Sequence, residues 1–214
     1  NESYPSFRRG FDSHHPLHSF QSRPPDRMSR DPFSTRLLAW YDAHGRKTLP
    51  WKRRRDPYRI WVSEIMLQQT QVTTVIPYFE RFIKRFPDIR TLARARPDSV
   101  LHLWSGLGYY ARARNLHKAA RQIVADHSGK FPRDIESVMR LPGIGRSTAG
   151  AILALAFDQR HAVLDGNVKR ALARYHAIRA PLNRRDVADR LWQLAEHHTP
   201  RARVADYTQA IMDL

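Results

Sequence analysis

This sequence predicts an all-α fold of about ten helices, on three observations. Apolar residues recur at three- and four-residue spacing through most of the chain beyond Ser34. No stretch alternates apolar and polar residues as a half-buried strand does. The connections are short and carry Gly, Pro, Asp and Asn, which stop helices and make turns. Residues 1 to about 32 stand apart. They are rich in Ser, Pro, Arg and His, their apolar residues follow no period, and they read as a disordered tail.

The first helix is expected over 34–45, where Leu37, Leu38 and Tyr41 form a stripe. The Asp56-Pro57 pair is a start signal for a second, with Ile60, Ile65 and Leu67 on its apolar face. Val72, Val75, Ile76, Phe79, Phe82 and Ile83 mark the third. Pro77 lies within that stripe, so a kink there or a start just before it is expected. Further amphipathic segments run near 98–104, 110–126, 134–140, 146–157, 167–175 and 186–198.

The 214 residues carry 37 Lys and Arg against 20 Asp and Glu, a formal net charge of +17. Such a balance points to a polyanionic partner, and nucleic acid is the usual one. A generally basic protein is the plainer alternative, since charge by itself shows no site. The chain has no cysteine, which excludes disulfides and thiolate metal sites within it. The sequence assigns no metal-ligating set. No apolar run approaches the ~20 residues that span a bilayer, and no signal peptide is visible. The expected compartment is the cytoplasm.

Four places could carry chemistry. Residues 141–147 read LPGIGRS, a glycine hairpin opening onto a helix. Gly143 and Gly145 permit positive φ and close backbone approach. The helix starting near Arg146 would aim free amides at an anion such as a DNA phosphate. A turn between packed helices is the alternative. Glu64 is flanked by Trp61, Ile65, Met66 and Leu67. Burial would raise its pKa and keep it protonated, as a general acid must be, whereas a solvated helix glutamate would do nothing of the kind. Asp165 precedes a helix and suits an N-cap, which also keeps it ionised. A charged Asp beside a protonated Glu is the pair that cleaves a glycosidic bond through an oxocarbenium-like state. Gly106, Gly108, Tyr109, Tyr110, Arg112 and Arg114 form a second glycine turn with aromatics and arginines, suited to stacking on bases and holding phosphates, or to a helix start with core tyrosines. Gln68, Gln69 and Thr70 end an apolar helix. They are either ordinary caps or polar probes of a duplex.

Taken together, the hairpin at 141–145, the Asp165 loop, the Glu64 helix and the 106–110 turn resemble the helix-hairpin-helix DNA glycosylase superfamily. Within it the match is nearest to the MutY-type adenine glycosylases, over roughly residues 37–214. Five segments look like family motifs in order, at 49–51, 61–71, 77–79, 106–114 and 164–170. The resemblance implies a two-lobed fold, with a helical barrel bearing the hairpin over 49–157. A second lobe would combine 33–48 with 158–214. It implies that Glu64 protonates adenine N7 and later activates water, and that Asp165 stabilises the cationic sugar, with Asn167 near the site. Trp51 and Leu67 would wall the adenine pocket, Gln69 and Thr70 would face the opposite base, and Tyr109 would wedge into the duplex. Gly143 and Gly145 would meet DNA. Ser147 stands where strand-cutting relatives carry a Schiff-base lysine, so base removal without strand scission is implied.

The family also implies a [4Fe–4S] cluster held by four cysteines shortly after the segment matching 206–214. The chain stops before them, so the second lobe is expected to be incomplete. The implied partner is double-stranded DNA with adenine opposite 8-oxoguanine or guanine, met by a monomer at the bacterial nucleoid. A related glycosylase for oxidised pyrimidines, or an inactive DNA-binding fragment, remain the alternatives.

Overall fold

The computed structural model describes residues 31–52 and 55–214. The expected tail therefore lies outside the described residues except at its end, where Asp31 and Pro32 already open a helix. Among the described residues there are eleven α-helices, one 3-10 turn and no strand. The all-α expectation holds, with one helix more than about ten.

In chain order the helices are α1 (Pro32–His44), α2 (Pro57–Leu67), α3 (Val72–Arg85), α4 (Ile89–Arg94), α5 (Pro97–Trp104), α6 (Ala111–Asp126), α7 (Ile135–Met139), α8 (Arg146–Phe157), α9 (Gly166–Tyr175), α10 (Arg185–His198) and α11 (Val204–Asp213), with the 3-10 turn at Pro50–Lys52 before α2. Several starts follow from local chemistry. Asp31, Asp56, Asp88, Asp134 and Asp165 each accept a hydrogen bond from a backbone N–H of the first turn. Such a cap contributes about 1 kcal/mol. Pro77 neither starts nor ends α3, which begins at Val72 and runs to Arg85. The proline falls in the second turn, so the bond it cannot make is one near the helix start.

Two clusters of buried side chains hold these helices. The larger gathers Trp61, Phe79, Phe82, Phe86, Trp104, Leu116 and Ile123 from α2 to α6, with Ile152 and Leu153 of α8. The smaller gathers Phe33, Leu37 and Tyr41 of α1 with Val168, Leu172, Leu191, Tyr207 and Ile211. α8 serves both, since Ala149 and Ile152 face the first cluster and Ala151 the second. Burying each large apolar side chain contributes about 1.5–3 kcal/mol. Exposed ion pairs such as Arg203–Asp42, at 2.6 Å, contribute about 0–1 kcal/mol each. The clusters therefore decide the fold. They leave a cleft where α2, α8, α9 and α11 meet.

Candidate active site

That cleft has a volume of about 910 Å³. It is lined by nine of the residues singled out from sequence, namely Trp51, Glu64, Leu67, Gln68, Gln69, Thr70, Ser147, Asp165 and Asn167. Glu64 arrives there because α2 buries Trp61, Val62, Ile65 and Met66 and leaves position 64 on the remaining face. Burial is the main force pushing the Glu64 carboxyl up from 4.5 to about 7. The charge of Asp165 adds to that push and the charge of Lys52 opposes it. Near neutral pH Glu64 thus holds a proton for a large part of the time.

This has a consequence for stability. The unfolded chain releases the Glu64 proton near 4.5 and the folded chain only near 7. Between those values the folded state binds more protons, so Glu64 lowers stability as pH rises through the window. Glu64→Gln removes the penalty. It is expected to melt roughly 5 °C or more above the parent at pH 8, and level with it below pH 4.5. Melting curves of both proteins against pH check this.

Asp165 is held from two sides. Its Oδ1 accepts from Val168 N at 2.8 Å, capping α9. Upstream, Leu164 N donates to Ser147 Oγ at 2.9 Å, which ties the Asp165 loop to the first turn of α8. Gly150 lets α8 approach the same segment, because a Cβ there would sit 2.7 Å from Ala162 O. Asn167 Nδ2 donates to Met212 O at 3.2 Å, joining α9 to α11. Its Oδ1 accepts from Arg170.

Gly143 and Gly145 do not line the cleft. They form the hairpin between α7 and α8. Gly143 has φ +80°, and a Cβ there would meet Asn115 Cβ at 2.9 Å, so glycine is required. Gly145 opens α8 without a side-chain cap, which leaves first-turn amides for an outside acceptor.

The rim beside the cleft is formed by the α2–α3 and α5–α6 connections, around a hollow of about 600 Å³ lined by Gln68, Gln69, Tyr109, Tyr110, Arg112 and Arg114, with Ala111. Gln69 and Tyr109 both adopt left-handed backbone, with φ of 57° and 49°. Non-glycine residues hold that conformation only when their surroundings impose it. Tyr109 is 61% exposed and Tyr110 41%, so neither is the core tyrosine that the plainer reading allowed.

One expectation is corrected here. Arg112 does not face a phosphate. It is 9% exposed, and its guanidinium donates to the carbonyls of Ile65, Met66, Gln68, Leu107 and Gly108 and to Thr70 Oγ1. It also lies over the rings of Trp104 and Tyr109, at 5.6 and 5.2 Å. These carbonyls end α2 and build both rim turns. Their unmet acceptors explain why the side chain turns inward. Arg114, by contrast, is exposed.

Lys52 was not singled out from sequence. It donates to Tyr41 Oη at 2.9 Å and to Arg46 O, and burial is the main force pushing it down to about 8. Its position next to Trp51 was the available signal. The [4Fe–4S] cluster implied by resemblance does not fit these residues, because its irons take thiolates and the chain has no cysteine. No helix among the described residues is long and apolar enough to cross a membrane.

Residues 62–197 match the model of the HhH-GPD superfamily base excision DNA repair proteins. The adenine DNA glycosylase of Buchnera aphidicola subsp. Baizongia pistaciae is 50% identical over 182 residues, covering 85% of this chain and 51% of that protein. The human adenine DNA glycosylase is 45% identical over 191 residues, covering 85% of this chain and 35% of that one. The chain thus spans about half the length of the bacterial relative and about a third of the human one. Among solved structures, a thermostable thymine-DNA glycosylase superimposes with a TM-score of 0.74 at 27% identity, covering 85% of this chain and 83% of that one. An endonuclease III–DNA complex shares the fold, with a TM-score of 0.69 at 18% identity over 84% and 81% of the two chains.

Proposed function

The chain belongs to the HhH-GPD superfamily of base excision DNA repair proteins, and from that membership and the Glu64 and Asp165 carboxyls of its cleft we propose that it carries the active site of an adenine DNA glycosylase. One observation carries the reading most. Glu64, pushed up to about 7, lines the same cleft as Asp165, which caps a helix. Glycosidic cleavage needs such a pair, an acid that protonates the leaving base and a second carboxyl at the sugar.

In the proposed reaction an adenine opposite 8-oxoguanine or guanine leaves the stack and enters the cleft between Trp51 and Leu67. Extrusion costs a few kcal/mol, least at a mispair. Glu64 donates its proton to adenine N7. The C1′–N9 bond breaks and its electron pair leaves with the base. The sugar becomes an oxocarbenium-like cation facing the Asp165 carboxylate. Glu64, now ionised, takes a proton from water as the water oxygen bonds C1′. Gln69, Thr70 and Tyr109 on the rim suit contact with the opposite base and the opened step. Phosphates would meet Arg114 and the α8 amides at the Gly145 hairpin. The net charge of +17 favours such a polyanion. The two clusters of buried residues would act as the two lobes.

Ser147 offers no amine to the sugar. A duplex with adenine opposite 8-oxoguanine is therefore expected to lose adenine and keep an intact abasic strand until hot alkali is added. Gel analysis with and without alkali checks this in the protein that carries the chain. Strand breaks without alkali, or abundant protein–DNA adduct trapped by borohydride, would contradict it. Release of oxidised pyrimidines but not adenine would favour the other glycosylase reading.

A further inference from the structure

Away from the cleft, four ionisable side chains meet where three helix ends converge. Asp31 caps the start of α1, His176 follows the last residue of α9, and His197 and His198 end α10. His198 is buried, with the rings of Phe33 and Tyr175 centred 4.7 and 5.9 Å from its own. Its Nδ1 lies 3.0 Å from Asp31 Oδ2 and its Nε2 lies 2.8 Å from His176 Nε2. One ligand atom from each of Asp31, His197 and His198 falls within 4.8 Å of the other two. Among the described residues this is the one group of three or more such side chains so placed.

We propose that Asp31, His197 and His198 bind a divalent transition ion of the zinc class, joining the start of α1 to the end of α10. Two imidazoles and a carboxylate are a donor set that zinc takes, with water in the remaining position. Two ligands each about 2.0–2.1 Å from one ion stand roughly 3–3.4 Å apart. The 3.0 Å between His198 Nδ1 and Asp31 Oδ2 is at the short end of that range. His197 is exposed, and its ligand atom, within 4.8 Å of the other two, has to close to roughly 3.4 Å to share the ion.

His176 completes the arrangement from behind. A histidine that ligates through one nitrogen donates the proton on the other, and that bond fixes the tautomer. His198 Nε2–H donating to His176 Nε2 leaves Nδ1 for the ion. In the ion-free form Nδ1 carries the ring proton and donates it to Asp31, while Nε2 accepts from His176. When the ion takes Nδ1, the His198 ring proton sits on Nε2 and His176 carries its own on Nδ1. Asp31 keeps its second bond, from Ser34 N at 2.8 Å, as ligating carboxylates do.

The local field also favours a cation. The carbonyl ends of α9 and α10 both point at the site, and each contributes partial negative charge. Asp31 adds a full one. Against them stand the positive N-terminal end of α1, Arg160, which donates to Glu196 O and Thr199 O at the end of α10, Arg190 near His176 and the overall charge of +17, so Asp31 is the indispensable ligand.

The test uses the whole 214-residue chain, with Zn²⁺ for stability and Co²⁺ as a spectroscopic probe. Saturating Zn²⁺ is expected to raise the melting temperature by about 5 °C. One equivalent of Co²⁺ should give the visible absorption of a four-coordinate site. His197→Ala removes an exposed ligand and leaves both cores untouched. Asp31→Asn keeps the α1 cap, since Asn caps as well as Asp, but loses the charge. Both variants should melt near the parent without metal and lose the Zn²⁺ shift and the Co²⁺ spectrum. No shift in the parent would overturn the proposal. So would an equal shift in His197→Ala, which would place the ion on other histidines.

Discussion

Arg112→Met is expected to destabilise the protein by about 3 kcal/mol, because it strips the partners from several largely buried carbonyls at once. The methionine fills much of the volume, so the loss is one of hydrogen bonding rather than of packing. In a chain of this size that corresponds to a fall in melting temperature of roughly 6–12 °C. Arg112→Lys should recover only part of it. An ammonium has three donors and no planar fork, and six acceptors from two turns surround this position. Thermal melts of both variants check the claim. Wild-type melting by Arg112→Met would mean that solvent meets those carbonyls as well as the guanidinium does.

The second large effect is kinetic. Glu64→Gln keeps the shape of the side chain but cannot deliver a proton to adenine N7. Base release under single-turnover conditions is expected to fall at least ~100-fold, the usual scale for a general acid. Affinity for the mispaired duplex should change by less than about 1 kcal/mol, since no buried charge pair is broken. Asp165→Asn should also slow release, but less cleanly. It removes a negative charge beside the sugar while Asn keeps the α9 cap, so binding can shift with rate. A near-parental rate in Glu64→Gln would reduce Glu64 to an ordinary helix glutamate.

Much of this was readable in the sequence because it is local. Asp56-Pro57, the LPGIGRS hairpin and Asp165 announce helix starts through chemistry within three residues, and the structure has helices starting at Pro57, Arg146 and Gly166. Residues of the cleft that are far apart in the chain were assembled by resemblance rather than by pattern. What stayed hidden depends on distant partners. α4 is six residues long, too short for an apolar stripe to stand out. α11 lay beyond the segments marked as amphipathic. Arg112 looked like Arg114, two residues on, because a sequence shows charge and not the direction in which it points. Only the unmet carbonyls of α2 and the 106–108 turn turn it inward. The left-handed backbone at Gln69 and Tyr109 falls on residue types that give no warning of it. Asp31 and His198 are 167 positions apart, a separation no spacing rule reaches.

Both the stability effect of Glu64→Gln and its loss of activity descend from one claim, that the Glu64 carboxyl holds its proton close to neutral pH on the wall of the cleft. The most direct measurement is a carbon-detected NMR titration of glutamate side-chain carboxyls, with the Glu64→Gln protein assigning the signal by its disappearance. The account predicts a midpoint near the value of about 7 set by burial and by Asp165. A midpoint at the ordinary 4.5 would contradict it, because an acid ionised at neutral pH has no proton to give to the base.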